Sequence, residues 1–135
     1  MTSARLALVA FVGLIVTLGL GYGWGGAGRG AMTQALDETR QQLDLAEARG
    51  YLLDARVSLY NVNFGDASRH FEEAKAPLRR AQDRYQTAGK SAAAVSVGAA
   101  LEHAAEGQRL AGKLDQSANA KAGDALEAIR VATQK

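Results

Sequence analysis

Two histidines in this chain each stand three residues ahead of a glutamate: His70 with Glu73, and His103 with Glu106. Residues three apart share a helix face, and two imidazoles with two carboxylates on neighbouring helices form a donor set for a metal ion. The spacing here runs from His to Glu, the reverse of the bundle motif, and His70 and Glu73 flank Phe71 and Ala74, pointing partly to solvent. The expectation is therefore no metal site. Cysteine is absent, which excludes disulfides, thiolate metal centres, covalent haem attachment and cysteine nucleophiles. No serine stands with a base in a supporting context, and no glycine loop follows a strand in a phosphate-binding or dinucleotide pattern. Neither an enzymatic activity nor a cofactor is expected.

Charge narrows the partners. Sixteen basic and fourteen acidic residues leave a net +2, too nearly balanced to imply nucleic acid. One local basic excess gathers Arg69, Lys75, Arg79, Arg80, Arg84 and Lys90, offset by Glu72, Glu73 and Asp83. Arg80 and Arg84, one turn apart, are the candidates for contact with anionic headgroups or an acidic partner surface; the plainer reading is a solvated helix face.

The elements that position these residues begin with residues 6–24, LALVAFVGLIVTLGLGYGW, which hold no charge. At 1.5 Å per residue they reach about 28 Å, close to the thickness of a hydrocarbon core, so a transmembrane helix is expected over residues 1–25. The run exceeds a usual signal-peptide core, which favours an anchor over a cleaved leader. Tyr22, Trp24 and Arg29 fall at the interface. Gly13, Thr17, Gly21 and Gly25 recur every four residues, with Gly19 and Gly23 in a second row; small rows let membrane helices approach closely. Residues 26–31 form a glycine-rich exit. The short basic lead before the apolar run places the N-terminus in the cytoplasm and the remainder in the periplasm.

Beyond the exit, residues 32–135 read as an all-α domain of about four helices, near 32–63, 66–88, 91–116 and 118–134, in two antiparallel hairpins. Low aromatic content (6%) and abundant alanine favour helices packed through small residues. In the first helix Leu36, Leu43, Gly50, Val57 and Phe64 alternate with Thr39, Ala46, Leu53 and Tyr60 as a heptad seam. That seam is thin, and the next helix is expected to cover it. Gly65 is expected to turn the chain and Asp66 to cap the second helix, whose face is Ala67, Phe71, Ala74, Leu78, Ala81, Tyr85 and Ala88. Pro77 predicts a kink or restart within it. Ser91 is expected to cap the third helix, with Val97, Leu101, Ala104, Ala105, Leu110, Ala111 and Leu114 as its stripe. The fourth buries Ala118, Ala122, Ala125, Ile129 and Ala132.

Residues 63–74, NFGDASRHFEEA, resemble the hinge of a tetratricopeptide-type (TPR-like) helical pair, with Ala67, Phe71 and Ala74 at the positions that family fills with Ala, Phe and Ala. The resemblance covers about half of one repeat and implies a right-handed stack of antiparallel helices used for binding proteins. A plain bundle or a long coiled hairpin are the other arrangements open to the sequence.

The expected role is a non-enzymatic, single-pass bacterial inner-membrane protein. It serves as an accessory or scaffolding subunit of a larger complex, of the respiratory or photosynthetic kind by analogy alone. Its partners are other membrane subunits and the bilayer. The alternatives are a free-standing anchored adaptor with a TPR-like groove and a metal-binding helical bundle.

Overall fold

A computed structural model describes the backbone of residues 2–134 and the side chains of residues 30–134. Among the described residues the chain is all-α, with four helices: α1 (Thr2–Tyr60), α2 (Phe64–Thr87), α3 (Ser91–Ala111) and α4 (Ala118–Thr133). It divides into two units, Met1–Glu38 and Thr39–Lys135. Among the described residues no helix is long and apolar enough to cross a membrane. The expected membrane segment with Gly13, Thr17, Gly19, Gly21, Gly23 and Gly25, and the interfacial Tyr22, Trp24 and Arg29, lie outside the residues whose side chains are described.

The second unit is a helical bundle. α2 packs on α3 and α3 on α4. The part of α1 within this unit meets α2 through Asp44 and Arg80, and meets α4 through Arg56 and Asn119. The Tyr85 hydroxyl donates to the Ala132 carbonyl at 3.2 Å, bringing together the C-terminal ends of α2 and α4. Gln116, just ahead of α4, donates to the Leu59 carbonyl near the end of α1. The helices therefore alternate in direction, and the contacts between α1 and α4 close the bundle, where an open stack of repeats would keep its first and fourth helices apart.

The interior is built from small residues. Among the described residues thirteen of the twenty-one buried apolar side chains are alanine, so the backbones stand close together and a few large residues fill what remains. Phe71, Leu52, Leu59, Leu78 and Ile129 are the largest that are fully buried. Gly107 on α3 makes room for Phe71: a Cβ at Gly107 would lie 2.5 Å from two ring atoms. The expected faces of α2 and α4 are the buried ones, apart from Ala88, which is exposed. On α3 the buried stripe is Ala94, Val97, Ala100, Ala104, Gly107 and Ala111. Leu101 and Leu110 are only half-buried, and Ala105 and Leu114 are exposed. The leucines lie at the edges because an alanine-lined gap is too narrow for them.

Helix ends differ from expectation for local reasons. α2 is capped by Asn63, whose Oδ1 accepts from the Asp66 backbone N–H while its amide donates to the Asp66 carboxylate. Asp66 thus sits inside the first turn, and Gly65 is a helix residue and not the turn. α2 runs unbroken through Pro77, which is buried in the core; packing there offsets the hydrogen bond that proline cannot make. Ser91 opens α3 without capping it.

The first three helices end in one shared motif. Val62, Gly89 and Leu114 each take a positive φ, of 58°, 71° and 59°. Each amide bonds back three residues, and the next amide bonds back five: Asn63 to Ser58, Lys90 to Tyr85 and Asp115 to Leu110. This stops α3 at Ala111, short of the expected 116. Asp115 then accepts from the Ser117 backbone and hydroxyl, leading into α4.

Candidate interaction surface

The largest departure from the sequence reading lies on α1. Its buried face is Leu45, Ala48, Leu52, Ala55 and Leu59, a second heptad-spaced stripe. The seam expected to pack inside faces out instead: Leu43 is 67%, Leu53 50%, Val57 59% and Tyr60 87% exposed. Ala46 and Gly50, between them, are exposed as well. The two stripes differ in regularity. One alternates leucine at 45, 52 and 59 with alanine at 48 and 55, a repeat of large and small residues that interdigitates with an alanine-lined bundle, whereas the other is interrupted by Ala46 and Gly50 and ends on the polar hydroxyl of Tyr60. At 100° per residue the two stripes lie about 150° apart, so α1 is apolar on nearly opposite sides.

Beside this face, Leu53, Arg56, Val57, Tyr60 and Asn119 line an open groove of about 260 Å³ with an almost wholly apolar wall. The Arg56 Nε donates to the Asn119 Oδ1 at 2.9 Å, fixing the groove floor between α1 and α4.

The two arginines singled out by sequence are used within the bundle. Arg80 Nε donates to Asp44 Oδ1 at 2.8 Å, Arg84 Nε to Asp44 Oδ2 at 3.0 Å, and a second Arg80 nitrogen reaches Glu47 at 2.7 Å. Asp44 is 6% exposed, so a nearly buried carboxylate receives a guanidinium on each oxygen. The bond to Asp44 holds the Arg80 proton more tightly than usual. Charge that the sequence offers to headgroups or an acidic partner is thus directed at two acids of α1.

No protein-family model, curated protein or solved structure matches this chain. The site is therefore read from its own residues.

The glutamate of each histidine pair is engaged by an arginine of its own helix. His70 Nδ1 lies 2.9 Å from Glu73 Oε2, and the Glu73 carboxylate also receives Arg69. Glu106 is held by Arg109 through both oxygens, at 2.7 and 2.5 Å, which lowers its carboxyl below the ordinary range. Among the described residues no three ligating side chains converge. Other surface acids are similarly committed: Arg69 lowers Asp66, Arg130 lowers Glu127, and Lys75 on the neighbouring turn lowers Glu72. Among the described residues no buried side-chain nitrogen or oxygen lacks a partner. Several of the second unit's exposed large apolar side chains gather on one face of α1, at Leu43, Leu53, Val57 and Tyr60.

Sequence reasoning found the residues of this face and misassigned what covers it. The signal that separates the two stripes is the leucine repeat at 45, 52 and 59, read against the glycine and alanine at 50 and 46.

Proposed function

We propose that this chain is a non-enzymatic membrane-anchored scaffolding subunit. Residues 6–24 hold it in a bacterial membrane, and the outer face of α1 joins it to an assembly. The observation that carries this reading is the exposed row Leu43, Leu53, Val57 and Tyr60 on a helix whose opposite side is already packed. A heptad-spaced row of large apolar side chains in water is a docking face awaiting a helix. The uncharged run at residues 6–24, with its rows of small residues, supports a membrane partner as well. The contacts that bring α4 onto α1, and the lack of a converging ligand set among the described residues, favour this reading over a TPR-like adaptor or a metal-binding bundle.

The test is fractionation of the full-length chain expressed in a bacterium. It remains with the membranes through an alkaline wash and migrates well above monomer mass after mild detergent extraction. Release into the wash, or a monomer in detergent, overturns the reading. Replacing Gly21 and Gly25 with leucine lowers the assembled fraction if the small rows pack against a partner.

A further inference from the structure

Resting on the scaffolding role, we infer that the outer face of α1 pairs with the same face of a second copy of this chain, as a parallel two-stranded coiled coil within residues 39–60. That stretch spans three heptads, about 33 Å of helix. Leu43, Gly50 and Val57 occupy the a positions, and Ala46, Leu53 and Tyr60 the d positions. Val57 at a with Leu53 at d is the combination that favours two parallel strands, and the small Ala46 and Gly50 let the backbones approach between Leu43 and Leu53.

The charges beside the seam choose both the occupant and its direction. In a parallel pair each g position faces the e position five residues on in the other strand. Gln42 then faces Glu47, Arg49 faces Asp54, and Arg56 faces Asn61. Glu47 and Arg56 are already engaged within the bundle, by Arg80 and Asn119. Among the described residues the side chains of Arg49 and Asp54 make no ion pair or hydrogen bond. They are of opposite sign and in the register that joins them twice across a two-fold axis. An antiparallel pair centred on Ala46 and Gly50 would set Arg49 against Arg49 and Glu47 against Glu47. Self-complementarity of this kind is what an isologous interface requires.

Because the chain has no cysteine, a single introduced thiol reports on its own copy. The full-length Leu53→Cys protein is reconstituted in phospholipid vesicles and oxidised, beside Gln86→Cys on the exposed end of α2 as the collision control. In the parallel pair Leu53→Cys forms covalent dimer roughly ten-fold or more faster than the control, because pairing raises the local thiol concentration. Arg49→Glu and Asp54→Arg each slow that cross-linking, and the two together restore it. Cross-linking between Leu43→Cys and Leu53→Cys copies, without self-cross-linking of Leu53→Cys, overturns the parallel register. A thiol at 53 that neither cross-links nor reacts with maleimide in native membranes means that a different protein covers the face; the scaffolding role then stands and the second copy falls. A thiol that reacts freely and does not cross-link overturns both.

Discussion

Alanine placed at Gly107 and at Gly123 is the same chemical change with opposite outcomes. Both glycines lie inside helices, where alanine gains ~1 kcal/mol of helix propensity. At Gly123 a Cβ meets nothing within 4 Å, so the whole gain is kept. At Gly107 the Cβ would fall 2.5 Å from Cε1 and Cζ of Phe71 and 3.1 Å from Cδ1. The overlap is about an ångström against an ordinary contact. The ring is fully buried, so it has no free direction in which to yield. Overpacking of this sort costs ~3 kcal/mol at the upper end of its range, which exceeds the propensity gain and leaves a net loss of ~2 kcal/mol. For a unit of this size 1 kcal/mol corresponds to about 4–8 °C in Tm. Thermal unfolding of the full-length chain, followed by circular dichroism, therefore shows Gly123→Ala about 4–8 °C above the parent and Gly107→Ala about 8–16 °C below it. Phe71→Leu combined with Gly107→Ala recovers part of the loss, giving a non-additive cycle. If Gly107→Ala stabilises as Gly123→Ala does, Phe71 does not pack on α3 at that point and the account of the core is wrong.

Asp44→Asn removes the charge shared by Arg80 and Arg84. Since those guanidiniums are 46% and 31% exposed, the loss is ~1–2 kcal/mol, below that of a fully buried pair, and urea denaturation measures it. An unchanged midpoint would refute the clamp. Leu114→Gly relieves a left-handed conformation costing ~1–2 kcal/mol and loses a mostly exposed side chain, for a net gain of ~0.5–1 kcal/mol after the entropy of the unfolded glycine. Leu114→Ala, which keeps the strain, brings no such gain in the same denaturation series. Lowered carboxyls at Asp66, Glu106, Asp115 and Glu127 contribute stability above the ordinary carboxylate range, and that contribution is lost as protons bind. Tm therefore falls as pH drops below about 4.5, and a flat profile down to about pH 3 would contradict it.

The sequence shows α2 and α4 almost completely, because each has one regular apolar stripe that the packing uses. Ala118, Ala122, Ala125, Ile129 and Ala132 are buried as the spacing requires. α3 is blurred by alanines all round, so periodicity marks no sharp edge and its last turn is lost to the reversal at Leu114. α1 misleads for a different reason: two regular seams satisfy the same rule, and a helix read alone gives no ground for choosing between them. The choice is made by α2 to α4, through the fit of Leu45, Leu52 and Leu59 between them. Arg80 and Arg84 were legible as a pair, whereas their acceptor Asp44 is 36 and 40 residues away in sequence and no local pattern points to it.

The repeated way in which these helices end restricts how the chain can change length. Each reversal is set by a fixed pair of backbone hydrogen bonds and one left-handed residue, with little slack in the connections at Asn61–Asn63 and Ala88–Lys90. A single residue inserted within a helix turns everything beyond it by about 100°, rolling alanine faces out of gaps too narrow for other side chains. Lengthening that preserves the interior comes in steps of seven, made in facing helices together. Insertions and deletions should therefore be tolerated first in the six residues between α3 and α4, the longest of the three connections.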